Sequence, residues 1–428
     1  MLISIANEIE RIGGRAFYTG GYARDLLLSG HADVSPDIDI EVFHLEQEQL
    51  AAVLSLFGVV KTVGKIYPVF KIKGHPEWDF TLSRQDNYAA AAARRDFTID
   101  AIMIDIISGE ISDYTGGRQD LAAKVIRHTT PEVLADDPLR AYRAASLAGR
   151  LGFTIHPETL QLMRKADLSK VPPERIAAEL KKLLLLSAKP SIGLRYLEET
   201  GLLKQLHPDL YNLIGCEQEP KNHPEGDVWE HTLQVVDQAA KIKVKSGNPL
   251  ALMWAALLHD IGKPAVTKRR EGKITAYGHD TEGAKMASAF LHNLRCSNEL
   301  THSVMVLTRE HMHPVLLYKQ KEQITDKAIR KLADRVDISE LLLLSEADFK
   351  GRSMERDYSP IRNWLLGRIM ALGLEPGKRI EPLVKGRDLQ ELEILPGKKY
   401  KEILDKAFEL QLEGKSKDEI LQAIRADD

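Results

Sequence analysis

The hydrophobic period of this chain changes near residue 131, and that change limits the folds open to it. Before it, stretches with the two-residue alternation of a half-buried strand are interleaved with helical stretches. After it the pattern is helical almost throughout. Strands confined to one end imply an α+β chain, a small sheet-and-helix head followed by an all-helical neck and body and further helical domains. The spacing predicts an amphipathic helix over 2–12, strands over 15–19, 37–43, 67–73 and 78–83, and a helix from Tyr22 to Leu28. Leu134 to Leu151 and Pro173 to Leu186 read as amphipathic helices, the second opened by Pro172-Pro173. Residues 216–227 are polar and rich in breakers and read as a boundary. Residues 228–350 are helical and dense in histidine, and 355–400 carry Pro and Gly breakers before a last helical pair. The expected division is 1–130, 131–215, 216–355 and 356–428, the last a helical tail.

With 428 residues, 43% hydrophobic and 28% charged, the chain has the composition of a globular protein with several cores. A net charge of −3 excludes a bulk basic character, so any nucleic acid must be held by local patches. Cys216 and Cys296 cannot build a disulfide framework. Apolar runs such as Ala251 to Leu258 are too short to span a bilayer, and the first residues lack the basic and apolar regions of a signal peptide. A cytoplasmic protein without a membrane partner is expected.

Thr19-Gly20-Gly21 follows the strand at 15–19 and opens a helix, with Arg24 on its first turn. Glycines let backbone N–H groups approach an anion, and a helix N-terminus favours negative charge; a plain turn is the simpler account. Asp37 and Asp39 lie two apart on a strand and project from one face. Their repulsion is relieved by a cation, and hard carboxylate oxygens suit Mg²⁺. A solvated strand face is the competing account, and the pair alone does not decide.

In combination, Gly20-Gly21, Arg24-Asp25 and Asp37-x-Asp39 resemble the signature of the class II tRNA nucleotidyltransferase and bacterial poly(A) polymerase superfamily. Arg94-Arg95-Asp96-Phe97-Thr98-Ile99-Asp100-Ala101 is similar to the second motif of that family. Asp113 to Gly117 with Asp120-Leu121 resembles the third, and Asp136-Asp137-Pro138-Leu139-Arg140 with Arg143 the fourth. Pro173-Glu174-Arg175-Ile176 with Glu179 resembles the fifth. The resemblance implies template-independent addition of C and A from CTP and ATP to a tRNA 3′ end. Asp37 and Asp39 would hold two Mg²⁺ ions, one activating the RNA 3′-hydroxyl and one steadying the triphosphate. Asp79 is either a third carboxylate or a surface residue. Gly20, Gly21 and Arg24 would contact the triphosphate, Arg95 would add positive charge, Asp96 would accept from a ribose, and Arg143 would join the nucleotide contacts.

Asp137 and Arg140, three apart on the expected helix, share a face. Aspartate accepts and arginine donates, matching the amino donor and ring-nitrogen acceptor that cytosine and adenine share and that uracil and guanine reverse. Outside this motif, an intrahelical ion pair worth roughly 0.2–0.5 kcal/mol is the plainer account.

Two departures from the family stand out. Ser146 occupies a position where the family often has a third arginine. Only nine residues, five of them alanine, separate Arg84 from Arg94, where many members carry a long flexible loop. Members without the loop tend to stop after two cytidines, so this chain would then leave the terminal adenosine to a separate enzyme.

In the histidine-rich block, His231, His259-Asp260 and Asp348 occur in the order of the HD phosphohydrolase superfamily, which the block resembles. Imidazole with carboxylate suits Mn, Fe, Co, Ni or Zn. His279 and His311 match positions where some members place a second metal, whereas His292, His302 and His313 read as ordinary surface or core residues. The resemblance implies hydrolysis of phosphoesters such as cyclic phosphates or 2′-phosphates at damaged RNA ends, or, as in degenerate members, binding alone. Three rival accounts are a poly(A) polymerase, a phosphohydrolase with a remnant transferase head, and an RNA-binding protein without activity. The HD block and the acidic end Arg425-Ala426-Asp427-Asp428 disfavour the first, and the intact carboxylates and arginines of the head disfavour the other two.

Overall fold

A computed structural model describes the chain except residues 31–36, 65–67, 86, 355, 395–396, 398 and 428. It divides into two compact units, Met1–Glu179 with Ile192–Leu206, and Leu180–Ser191 with His207–Asp428.

The first unit runs α1 (Leu2–Arg11), β1 (Arg15–Tyr18), α2 (Gly20–Ser29), β2 (Ile38–Phe43), α3 (Gln47–Ser55), β3 (Val60–Val63), β4 (Val69–Ile72), β5 (His75–Leu82), α4 (Tyr88–Ala93), β6 (Met103–Asp105), β7 (Ile111–Ser112), α5 (Gly117–Ala123) and β8 (Val125–Ile126). It continues through α6 (Val133–Asp136), α7 (Leu139–Leu151), β9 (Thr154–Ile155), α8 (Pro157–Lys165), the start of α9 (Pro173–Leu186), most of α10 (Pro190–Glu199) and α11 (Leu202–Leu206). Strands β1–β7 form one mixed sheet in the order β3-β4-β5-β2-β1-β6-β7. The β2–β5 pair is parallel and its neighbours are antiparallel. The strand expected over 67–73 begins at Val69; Tyr67 lies outside the described residues.

Strand pleating sorts the residues of β2 and β5 onto two faces. Ile40, Val42, Trp78 and Phe80 point toward α1 and α3, where Ile5, Ile9, Leu50 and Leu54 complete a core. Burying each large side chain there contributes about 1.5–3 kcal/mol. The alternate residues Asp39, Glu41, Asp79 and Thr81 therefore project from the opposite face.

The helix expected over 134–151 is broken. Asp137 is extended, at φ −140° and ψ 95°, between α6 and α7. Pro138 is the cause, because its ring disfavours the helical conformation of the residue before it.

The second unit contains α12 (Pro208–Tyr211), α13 (Val228–Ile242), α14 (Pro249–Leu258), α15 (Lys263–Val266), β10 (Lys268–Arg270), β11 (Lys273–Thr275), α16 (His279–Asn293), α17 (Asn298–Glu310), α18 (His313–Lys319), α19 (Asp326–Arg335), α20 (Ile338–Lys350), α21 (Ser359–Ala371), α22 (Gly386–Glu391), α23 (Tyr400–Leu412) and α24 (Lys417–Asp427). Helix α14 is apolar on every side, the signature of a central helix, and packs against α13, α17 and α20. Asn248 caps it by accepting from the Ala251 N–H at 3.1 Å. A small cluster around Leu389, Ala407, Ile420 and Ile424 gathers the last three helices. Among the described residues no helix is long and apolar enough to cross a membrane.

Candidate active sites

In the first unit, β1 ends at Thr19, whose N–H donates to the Asp39 carbonyl at 3.0 Å. Gly20 then opens α2 with φ +64°, and a Cβ there would lie 2.7 Å from Asp39 Oδ2. The helix N-terminus is thus held directly against the β2 carboxylate. Parallel pairing sets Asp39 opposite Asp79, which is ion-paired with Lys71. Asp37 precedes β2 and is exposed. Burial pushes the Asp39 carboxyl up, Arg95 opposes this, and Asp79, Asp100 and Asp37 push it further up. Crowded oxygen donors of this kind suit a hard divalent cation. Among the described residues, the three-donor clusters that fit a metal lie in the second unit.

Arg95 Nη2 donates to Thr19 Oγ1 at 2.9 Å and to Glu41 at 2.5 Å, which places the guanidinium beside Gly20. Asp96 is buried and pairs with Arg143 at 2.9 Å. Arg24, expected at the triphosphate, is instead 3% exposed and held between Asp25 at 2.7 Å and Asp100 at 2.6 Å. This buried pairing ties α2 to the second motif.

Asp137 and Arg140 do not form the helical pair expected of them. Asp137 Oδ2 accepts from Arg175 at 2.7 Å, while Arg140 donates to the Val133 carbonyl at 3.0 Å and the Arg94 carbonyl at 3.2 Å. The extended backbone at Asp137 turns its carboxylate toward α9. Ser146 donates to the Glu179 carbonyl at 3.2 Å, so this departure from the family serves helix packing. Three residues given no role from sequence hold the set in place: Glu41 for Arg95, Asp100 for Arg24 and Arg175 for Asp137. Glu41 could have been found, since it continues the two-residue spacing of Asp37 and Asp39.

In the second unit, α14 delivers His259 and Asp260 at its C-terminal end, α13 supplies His231, α16 begins with His279, α17 ends at His311, and α20 carries Asp348. All six are buried. They make two adjacent three-donor groups, His231–His259–Asp348 and Asp260–His279–His311, each with its donor atoms within 4.8 Å. Asp260 joins them, with Oδ2 3.1 Å from His259 Nε2 and Oδ1 3.4 Å from His279 Nε2. Gly262 permits the close approach, because a Cβ there would lie 2.3 Å from the His279 carbonyl.

The ring orientations of these histidines are compatible with metal ligation. Nδ1 of His259, His279 and His311 faces the carbonyls of Ala256, Ala276 and Thr308 at 2.9, 2.8 and 2.6 Å. Donation there leaves Nε2 as the inward acceptor, the tautomer a metal needs. His259 Nε2 and His279 Nε2 are buried without a hydrogen-bond partner among the described residues. Burial pushes His311 down to about 3, so it is neutral. Burial would raise Asp260 and Asp348, but His259 and Lys263 around the first and Arg352 and His231 around the second hold both well below the ordinary carboxylate range.

His223 and Glu225 were not singled out in the sequence. Glu225 Oε1 accepts from His223 Nδ1 at 2.9 Å and lies 2.8 Å from His231 Nδ1. Both lie in the stretch read as a boundary, whose breakers in fact fold it against the site. His302 lines a separate cavity, His313 pairs with Glu310 at 3.1 Å, and His292 is exposed.

Residues 16–127 match the Poly A polymerase head domain family, 152–213 the probable RNA and SrmB-binding site of polymerase A, and 228–339 the HD domain family. A multifunctional CCA protein of Actinobacillus pleuropneumoniae is 33% identical over 78% of this chain and 85% of its own length. One from Cupriavidus metallidurans is 31% identical over 85% of the chain and 92% of its own. The fold is shared with the Bacillus stearothermophilus CCA-adding enzyme in complex with CTP (TM-score 0.70, 22% identity, 100% of this chain and 96% of that one). It is shared also with the Thermotoga maritima CCA-adding enzyme complexed with tRNA (TM-score 0.61, 19% identity, 99% and 94%). With such identity along most of its length, the chain belongs to the multifunctional CCA protein family, class II nucleotidyltransferases with an appended HD domain.

Proposed function

We propose that the first unit adds C and A to the 3′ end of tRNA, using CTP and ATP, and that the second hydrolyses phosphoesters. The observation that carries the first reading is the Gly20 turn seated against Asp39, with Arg95 beside it. Backbone N–H groups at the start of α2 receive the triphosphate. Arg95 and Arg143 add positive charge, and Asp96 accepts from the ribose. Asp137, steadied by Arg175, accepts from the exocyclic amine of C or A, and Arg140 donates to the ring nitrogen. The tRNA 3′-oxygen bonds to the α-phosphorus as the bond to pyrophosphate breaks. Asp37 and Asp39, with Asp79 across the strand pair, would hold Mg²⁺, which supplies activation of the hydroxyl and neutralisation of phosphate charge.

Incubation with labelled CTP or ATP and a tRNA lacking its 3′ end tests this reading. Extension that requires Mg²⁺ and excludes UTP and GTP is expected; no extension, or equal use of all four nucleotides, overturns it. A restricted reading, addition of two cytidines only, is favoured by the connector after β5. Six of its residues form α4, capped by Asn87 accepting from the Ala90 N–H at 2.8 Å, so no long lever remains to reshape the base pocket. Residue 86 of this connector lies outside the described residues. Efficient addition of A to a tRNA ending in CC refutes the restriction.

For the second unit, the support is the pair of buried donor groups joined by Asp260. They would hold one or two ions of the Mn, Fe, Co, Ni or Zn class, which supply Lewis-acid activation of water for phosphoester hydrolysis. Glu225 orients His231. Protein purified without chelator should contain stoichiometric metal and hydrolyse 2′,3′-cyclic or 2′-phosphates. Absence of both makes this a binding module only.

A further inference from the structure

Away from the histidine cleft, the second unit holds another cavity, of about 230 Å³. It lies where α14 and α20 begin, beside one face of α17, and the segment Gly377 to Arg379 between α21 and α22 forms part of its wall. Helix α14 runs from Asn248 at this cavity to His259 at the cleft, about 16 Å of helix, so the two sites are separate. Ala251, Val306, Leu307, Ala333 and Val336 give the cavity a buried apolar lining.

The polar groups around that lining are unequally engaged. Both carboxylates already serve the protein. Asp337 Oδ1 caps α20 by accepting from the N–H groups of Ser339 at 2.8 Å and Glu340 at 3.2 Å. Glu340 accepts from Ser246 Oγ at 2.6 Å and from the Gly247 N–H at 2.7 Å. Two of the three cations have partners as well. Arg335 donates through Nε and Nη2 to Glu310, each at 3.1 Å, and Lys378 lies 2.5 Å from Glu375. Arg379 differs: it is exposed and has no ion pair among the described residues. Burial raises the Asp334 carboxyl and Arg379 lowers it, but only from a distance. Asn248 Nδ2 and His302 likewise have no hydrogen-bond partner among the described residues.

A cavity whose carboxylates are committed and whose remaining polar groups are donors is completed by an acceptor. One guanidinium without a partner suits one negative charge, and its planar fork matches a carboxylate. A phosphate dianion would meet Asp337 and Glu340 with no second unpaired cation to offset the repulsion. The apolar lining suits a short hydrocarbon body behind the charge.

We propose that this cavity binds a small aliphatic monocarboxylate, held by Arg379 with its hydrocarbon end against Val306 and Val336. The bound anion ties the segment before α22 to α17 and α20. The backbone is placed for that tie. Gly377 has φ +85°, and a Cβ built on it would lie 3.4 Å from Asp337 Oδ2, so the segment already sits against the start of α20.

The test uses the whole chain and 4,4-azipentanoate, a short aliphatic carboxylate carrying a photoreactive diazirine. After irradiation and digestion, labels should map to the peptides that hold Val306 and Val336. Butyrate should compete, and neither butyramide nor inorganic phosphate should. Trypsin cuts after lysine and arginine, and Lys378 and Arg379 are both exposed. With butyrate at about ten times its dissociation constant, cleavage after these residues should slow by about tenfold. In Arg379→Gln the label should be lost and butyrate should no longer slow cleavage after Lys378, while the thermal midpoint stays that of the unaltered chain. His259→Ala, altered in the cleft, should keep both the label and the protection. Absence of labels, labels confined to the cleft peptides around His223 and His279, competition by phosphate or butyramide as strong as by butyrate, or labelling unchanged in Arg379→Gln would each overturn the proposal.

Discussion

At the scale of single residues, Gly20 carries the sharpest constraint on the transferase face. Its φ of +64° and the 2.7 Å from a built Cβ to Asp39 Oδ2 leave no room for a side chain. Gly20→Ala should displace the Asp39 carboxylate, and misplacing a reacting group by about 1 Å costs about 100-fold in rate. We expect CTP incorporation to fall by about that factor while circular dichroism stays that of the unaltered chain. Activity within a few-fold would show that Asp39 tolerates the displacement. The motif order in the sequence was enough to single out Gly20, Asp37, Asp39, Arg95, Asp96 and Asp137. It was not enough to assign their partners, because Glu41, Asp100 and Arg175 act across 54, 76 and 38 positions of chain. Arg24 shows the limit best: its motif named the residue, but only the fold shows the guanidinium enclosed by Asp25 and Asp100.

Among the elements, the mixed α+β order was legible because two-residue alternation survives in Ile38–Phe43 and helical spacing in Pro173–Leu186. The break at Asp137-Pro138 was legible too, yet amphipathicity across 134–151 masked it. Sheet order was not, since nothing local tells β2 to pair in parallel with β5. The β6–β7 connection shows how one carboxylate fixes such an element. Asp105 Oδ1 accepts from the N–H groups of Ile107 at 3.0 Å and Ser108 at 2.8 Å, and Oδ2 accepts from Arg15. Burial alone would raise its pKa, but hydrogen bonds from Ser108 and Arg15 lower it below the ordinary value. A depressed folded pKa means the stabilisation is complete above the unfolded value, about 4, and is lost as pH falls through the folded value. Asp105→Asn should therefore unfold earlier at pH 7. Arg15 is partly exposed, so the difference is about 1–2 kcal/mol. Thermal midpoints of the two proteins should converge below about pH 3; a gap unchanged down to that pH would refute the account.

For the whole molecule, the two units hold chemically different donor sets, carboxylates in one and imidazoles with carboxylates in the other. Their activities should be separable. Asp37→Ala with Asp39→Ala should abolish nucleotide addition and spare phosphoester hydrolysis and bound transition metal. His259→Ala should remove the metal and the hydrolysis and leave addition within a few-fold. Loss of both activities in either protein would mean the sites are coupled. The edges of the seven-stranded sheet bear on a different property, colloidal behaviour. Strand β3 lies at one edge and is mostly exposed, with Leu56, Val59 and Val63 at 68%, 63% and 56% exposure around it. A bare edge with apolar neighbours is a template on which a second copy can add a strand, and Lys61 is the one cation within β3 that opposes this. Concentrated solutions should therefore grow intermolecular β-structure from this edge before the helical unit loses its fold. Val63→Lys should delay the rise in light scattering on mild heating without moving the thermal midpoint by more than about a degree, since surface changes stay within about 0.5 kcal/mol. Scattering that rises as early in the variant would place the nucleus of aggregation elsewhere.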